Sequence, residues 1–441
     1  MKTKTLFCAL AMLAMIVAGE ASAEAQKYSL HRTTVQQLTE NAQVVLVGQL
    51  DRVEDIELSV KGQDAAVYKR LNDGAIQDGQ DFVRREGVIT VNSVLKGDAT
   101  LIGSEFRFVS IRQLKLAAYD ADLRTGEAIY FLSARAEDGR YAIHDDERGT
   151  VSTAECTAGD LLSVAQYIQT QLATSAIDQL AIDRMLNAIA LDGSRLSVDS
   201  AVELSWHYET YAPAMTAEQR NRIKDLGVLS LPGSEERNQL LTAMGRHPAE
   251  GALDALLDIM LGDSSWATTS LGSMSLEYVD RNQAINRLLD QYPLAGNDDT
   301  RMVIVRSLGL IRPKADYDGT ELRNRTLDLV KGLLKSTTSK KLLREALIAS
   351  RDLRSENAHV TELKALIDGR ETNGLTGAEV NAAIVALSAG RTVDAAGNVN
   401  CFAKDYLVAL GEADPVLDQV VKASMKFPYT TLILGADGKG H

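Results

Sequence analysis

The sequence predicts an α+β chain in two segregated parts, a small antiparallel β-barrel followed by an α-solenoid or irregular helical-repeat domain. Two changes of rhythm carry that expectation. From about Asn41 to Val151, apolar residues alternate with polar ones or run in short blocks closed by turn residues, the period of strands. From Asp160 onward they recur every three to four residues, the period of one helix face. Proline is scarce, at 7 residues, while Leu and Ala are plentiful, so long stretches can remain helical.

The first residues have the layout of an export signal. Lys2 and Lys4 precede an apolar run from Thr5 to Ala18, and Ala21-Ser22-Ala23 supplies a small-x-small cleavage pattern. The run is short of the roughly 20 apolar residues that span a bilayer. Residues 1–23 are therefore expected to be a signal peptide. Cys8 lies inside the run and is not read as a lipid-attachment site. Cleavage before Glu24 removes Lys2, Lys4 and Glu20, taking the net charge from −13 to −14. A chain this acidic disfavours nucleic acid and anionic membrane as partners, and no later stretch is apolar enough to span. The mature chain is expected to be periplasmic or secreted. It keeps Cys156 and Cys401. An oxidising compartment permits a bridge, but an extended array sets the two apart, so free buried thiols are expected.

Within the β-domain, expected over 24–155, Thr34 to Thr39 suits a short helical turn packed on the sheet. Val44 to Gly48 suits a buried strand. Gly87 to Leu95 places Ile89 and Val91 on one face, and Ser104 to Ile111 alternates Phe106 and Phe108 with Glu105 and Arg107. Ala128 to Ala134 continues the sheet, and Glu137-Asp138-Gly139 turns it back into Arg140 to His144. Polar inserts interrupt near 57–85 and 112–126. In outline, NAQVVLVGQLDRV, VITVNSVLKGD, GSEFRFVSI and TGEAIYFLSARAEDGRYAIH resemble an OB-like barrel of exported bacterial proteins, similar to the netrin-like and metalloproteinase-inhibitor barrels. The sequence lacks the N-terminal cysteine with which such inhibitors chelate a metal. The basic pairs Lys69-Arg70 and Arg84-Arg85 suit a solvated loop better than a nucleic-acid groove.

The helical domain, expected over 156–392, begins with a helix capped by Asp160. Another starts at Ser175, with Asp178 three residues on. Thr216 with Gln219, and Thr376 with Glu379, have capping-box spacing. Helix–turn–helix units are read at RNQLLTAMGRHPAEGALDALLDIMLGD, RMVIVRSLGLIRPKADYDGTELRNRTLDLVKGLLKS and LREALIASRDLRSENAHVTELKALIDG. They resemble HEAT-type repeats, which bury their faces only by stacking. Gly262 to Leu276 reads as a Gly/Ser-rich loop inside the array, and no regular repeat of polar joining positions is evident. The C-terminal extension, 393–441, is expected to hold one or two helices over Asp405 to Met425 and a short strand over Thr430 to Leu434.

Chemistry-bearing motifs are sparse. There is no His pair at i, i+4, no CxxC, no Gly-rich phosphate loop and no Gly-x-Ser-x-Gly elbow. The histidines at 31, 144, 207, 247, 359 and 441 are scattered. Gly262-Asp263-Ser264 resembles a hydrolase nucleophile tripeptide, but its place in mid-array favours loop punctuation. His144-Asp145-Asp146-Glu147 offers oxygen ligands without a metal-loop spacing and reads as a solvated strand end. No catalytic, cofactor or metal residue is assigned. Trp206, Tyr208 and Tyr211, near helical spacing around His207, form the candidate interaction patch, since aromatics are favoured at binding surfaces. The functional expectation is an exported, non-enzymatic scaffold for a protein or peptide partner. The alternatives are a hydrolase or metal-dependent enzyme with an unrecognised site, and a protease inhibitor acting through the β-domain.

Overall fold

The structure, a computed structural model, describes residues 33–57, 82–113, 126–134, 140–143, 149–153, 158–174, 178–191, 194–311, 321–353, 358–393 and 399–426. Residues 1–23, Cys156, His144 to Glu147 and Thr430 to Leu434 lie outside them. Two compact units form, and their boundary falls within the helix Glu235–Arg246.

The first unit opens with α1, Val35–Asn41, whose Thr34–Gln37 capping box is complete. Strands β1 (Val44–Glu57), β2 (Phe82–Lys96), β3 (Glu105–Gln113), β4 (Glu127–Ala134) and β5 (Tyr141–Ile143) close a barrel in the circuit β1-β2-β3-β5-β4-β1. β6, Thr150–Ser152, lies beside β4. The strands reach further than the sequence pattern suggests, β1 to Glu57 and β2 back to Phe82.

All the barrel pairings are antiparallel except β3 with β5, which is parallel at Val109 opposite Ala142. A ring of five strands cannot alternate direction throughout, so closing it forces one parallel pair. The barrel is mixed, where the alternating pattern alone predicts an antiparallel one.

Its interior is filled by one parity of each strand, with Leu46, Leu50, Ile89, Phe108, Tyr130 and Leu132 among the core residues. The Phe108 and Tyr130 rings sit 5.4 Å apart and tilted, within the range of favourable aromatic pairs. The other parity, Val45, Val88, Ile129 and Phe131, is buried as well. Helix α2, Ala158–Ala173, packs on β2 and β4. Burial on both faces explains why Val44 to Val47 is a continuous apolar run.

The same unit continues with α3 (Gln179–Ile189), α4 (Arg195–Trp206), α5 (Tyr208–Tyr211), α6 (Ala217–Leu229) and most of α7 (Glu235–Arg246). Asp178 caps α3 and Thr216 closes a capping box on α6. α1 packs against both α2 and α4, and α3 against α4 and α6.

The second unit holds α8 (Ala252–Gly262), α9 (Trp266–Gln291), α10 (Asp298–Leu310), α11 (Glu321–Ser336), α12 (Lys340–Asp352), α13 (Val360–Asp368) and α14 (Gly377–Ala389). A hairpin of β7 (Arg391–Val393) and β8 (Val399–Cys401) then leads to α15 (Lys404–Ala413) and α16 (Pro415–Lys426). Packing follows a two-file pattern. α10, α12, α14 and α16 stack in one file, and α9, α11 and α13 in the other. Such a stack buries each pair only against its neighbours.

Gly262 to Leu276 is not a loop. Beyond the turn at 263–265 it is the first half of α9, which breaks at Asp280 (φ −161°, ψ 93°) before continuing. The small polar residues read as loop are compatible with the helix because their hydroxyls bond back to the preceding turn. Thr269 donates to the Ser265 carbonyl (2.8 Å), Ser273 to Thr269 (2.6 Å) and Ser275 to Leu271 (2.8 Å).

Polar joining positions do recur, at long range. Residues 181–187 and 284–290 read AIDRMLN and AINRLLD, while 218–226 and 321–329 read EQRNRIKDL and ELRNRTLDL; each pair is offset by 103 positions. The contacts recur with the letters. Arg222 on α6 forks onto Asp183 (3.5 Å) and Asn187 (2.8 Å) of α3. Arg325 on α11 forks onto Asn286 and Asp290 of α9, both at 2.8 Å. The N-caps Ser194 and Asn297 stand at the same offset.

Two tests address this packing. A Cβ at Gly309 would lie 2.8 Å from the Ala349 Cα, whereas one at Gly332 meets nothing within 4 Å. Gly332→Ala should gain up to about 1 kcal/mol from helix propensity. Gly309→Ala should instead lose about 1–3 kcal/mol through overpacking; urea denaturation distinguishes the two. Arg306 makes a two-pronged bond to Glu345 (3.1 and 2.6 Å), with both side chains about one-tenth exposed. Arg306→Met should cost roughly 3 kcal/mol by stranding that carboxylate, and Arg306→Met with Glu345→Leu should recover most of it.

Candidate functional site

A group of interacting polar side chains in the first unit lies where α1 meets α4. The Val35 N–H donates to the Asp199 carboxylate at 3.0 Å, and the Thr34 hydroxyl donates to Glu203. Tyr211 donates to the other Glu203 oxygen at 3.3 Å. Arg195 reaches Asp199 at 3.4 Å and also donates to the Thr150 carbonyl of β6. On the far side of α1, Tyr167 donates to Gln36 (3.1 Å) and Gln171 to the Gln36 carbonyl (3.0 Å). Thr34, Asp199 and Glu203 are all buried.

Burial disfavours ionisation here. It pushes the Glu203 carboxyl up to about 7, with nearby Glu40 and Asp199 adding repulsion against the pull of the Thr34 and Tyr211 bonds. Burial likewise raises Tyr167 to about 12. Nothing in the sequence pattern marks this joint, because Asp199 and Glu203 sit at i, i+4 on a helix and read as a solvated face.

A second buried polar pair lies in the other unit. Ser350 and His359 have no exposed surface, and the Ser350 hydroxyl lies 2.8 Å from His359 Nδ1. His359 Nε2 is 3.0 Å from the Leu327 carbonyl, which can only accept. Nε2 therefore carries a proton, and burial favours the neutral ring, whose Nδ1 accepts from the serine hydroxyl. The atoms match a nucleophile–base pair, but they join α11, α12 and the start of α13 inside the packed core. Desolvation lowers the His359 pKa, against the opposing effects of the Leu327 bond and Glu362.

The sequence-predicted patch divides. Trp206 is exposed, and its indole donates to Gln239 at 2.9 Å. Tyr208 is half-buried and bonds Glu209 at 3.2 Å. Tyr211 is buried and belongs to the Glu203 joint. The Gln37 amide donates to His207 at 2.7 Å. His247 is buried, while His31, His144 and His441 lie outside the described residues. Asp263 of the Gly262-Asp263-Ser264 tripeptide lies in the turn before α9, accepting from the Ser265 N–H (3.0 Å) and the Thr268 hydroxyl (2.7 Å). Cys401 is a free, buried thiol. Among the described residues no three His, Cys, Asp or Glu side chains gather as metal ligands.

One exposed apolar face was hidden by reading its segment as a loop. The first half of α9 has no charged residue from 266 to 276, and it leaves Trp266 67%, Met274 42% and Tyr278 50% exposed. These positions fall within about a third of the helix circumference at 100° per residue. The Arg246 guanidinium lies over the Tyr278 ring, 3.8 Å from its centroid, a cation–π contact. Once the segment is known to be helical, its spacing would have identified the face.

No protein-family model matches the chain, and no curated protein shows significant similarity to it.

The buried pair sets a pH dependence with a definite sign. A histidine whose folded pKa is depressed contributes stability that is complete above its ordinary value near 6.5 and is lost as the pH falls below it. The urea midpoint of the second unit should therefore drop on acidification below about 6.5, and His359→Gln should flatten that slope. Ser350→Ala should cost about 1–3 kcal/mol at pH 7.5 by leaving the imidazole acceptor unpaired.

Proposed function

We propose that this is an exported, non-enzymatic interaction protein, periplasmic or secreted, whose helical array engages a protein or peptide. The observation that carries the reading is the face of α9. Trp266, Met274 and Tyr278 are exposed on one side of the helix, and Arg246 lies over the Tyr278 ring; these residue types are enriched at interface hot spots and interface cores. An uncharged helical segment exposing a tryptophan has no benefit for solubility, and large side chains exposed along one helix face suit an interaction site. The two-file stacking of α9 to α16 supports the HEAT-like reading, and the five-strand circuit supports the OB-like one. On this reading the barrel positions the array or binds a second partner, while the acidity of the chain turns it away from nucleic acid.

A photo-crosslinking amino acid at position 274, introduced in the exporting cell, should give a discrete adduct that disappears when Trp266→Asp is added. The same group at Asp299, an exposed charged position on α10, should give none. Equal adducts at both positions, or none at 274, would sink the proposal.

A further inference from the structure

We infer that the joint between α1 and α4 is a pH-operated clasp: protonation of Glu203 closes α1 onto the helices, and loss of that proton loosens it.

The geometry comes first. α1 precedes the barrel in the chain and packs on α2 and α4, helices that follow the barrel. Its C-terminal end runs straight into β1, and Lys96 at the end of β2 holds its last carbonyls, those of Thr39 (2.9 Å) and Glu40 (3.1 Å). Its N-terminal end is held from α4 by Asp199 and Glu203. Its underside rests on α2 through Tyr167 and Gln171. α1 has only seven residues, too few to be stable as an isolated helix. Its position therefore depends on these side-chain bonds and on the burial of Val35 and Leu38.

The charges around Glu203 come from every element that packs there. α1 brings Glu40, and α4 brings Asp199, Arg195 and His207. α3 brings Arg184, α2 brings Tyr167 and α5 brings Tyr211. The two arginines are engaged elsewhere. Arg195 serves Asp199 and the Thr150 carbonyl. Arg184 lies over the Tyr167 ring at 5.0 Å and donates to Thr174 at 2.9 Å. Among the described residues, the Glu203 oxygens are met by two hydroxyls and by no cation, and a hydroxyl can turn to accept the proton of the neutral acid. An ionised Glu203 would thus be a buried charge without a counter-ion, near two further carboxylates.

Such a carboxyl holds its proton more tightly when the joint is closed than when it is open to water. Glu203 rises from an ordinary 4.5 to about 7. A raised folded pKa means that the favourable contribution is complete below the ordinary value and is lost as the pH climbs towards the raised one. Acid tightens the clasp and alkali releases it, which is opposite in sign to His359.

Hydrogen exchange of the full chain, read on peptides covering 33–41 and corrected for base-catalysed intrinsic exchange, tests the idea. In the wild type the opening equilibrium should rise about tenfold per pH unit between about pH 5 and 7 and then level off. A peptide covering the barrel strand 128–132 should not follow it. Glu203→Gln, which keeps the shape and cannot ionise, should abolish the dependence. Glu40→Gln, which removes a repelling neighbour, should bring the levelling-off to lower pH, and it reports independently if Glu203→Gln does not fold. Protection of 33–41 that ignores pH, or the wild-type curve retained in both variants, overturns the clasp.

Discussion

A carboxyl group withdrawn from water, ionised or not, must find hydrogen-bond partners, and in this protein those partners come mostly from another helix. Asp199 and Glu203 on α4 take theirs from the start of α1, and Glu203 also from α5. Glu236 on α7 accepts from Ser197 on α4, and Glu345 on α12 accepts from Arg306 on α10. Glu362 on α13 faces Lys331 and Lys335 of α11, and Glu379 on α14 faces Arg344 of α12. Apolar burial supplies the drive to stack but tolerates sliding. A buried charge with a fixed partner tolerates little, since losing the partner costs several kcal/mol. The register of each unit depends on this requirement.

The same desolvation acts on the two strongly placed titratable groups with opposite results. It pushes Glu203 up and His359 down, because in both cases it favours the neutral form. His359 answers by being satisfied on both ring nitrogens deep in the core. Glu203 is held at a boundary between elements, with hydroxyls for partners. The first arrangement suits permanent packing and the second suits a joint that responds to conditions. Neither is the aromatic face of α9, which owes its character to exposure.

Much of the fold was legible because periodicity reports which side of an element is buried. Phe106 and Phe108 alternate as a strand with one buried face should, and the Thr216 and Thr376 caps stand where capping-box spacing placed them. The three helix–turn–helix units fall on α7–α8, α10–α11 and α12–α13. The first half of α9 was not legible, because Ser, Thr and Gly carry a turn signal that tertiary packing and back-bonded hydroxyls override. The Arg222 and Arg325 forks were legible in principle, but they recur at 103 residues, well beyond the length of one helix pair. Of the candidate patch, the aromatic cluster was visible, but not that Tyr211 turns inward while Trp206 turns out.

Outside the first half of α9, the sequence by itself determined most element types, their order and the switch from strands to helices, because these follow from hydrophobic rhythm and local capping. Only the tertiary structure decided the parallel β3–β5 closure, the pairing of α1 with Asp199 and Glu203, and the exposure of Trp266, Met274 and Tyr278. Each of these depends on residues far apart in the chain being brought together. Local rhythm says which face of an element avoids water, but not what stands opposite it.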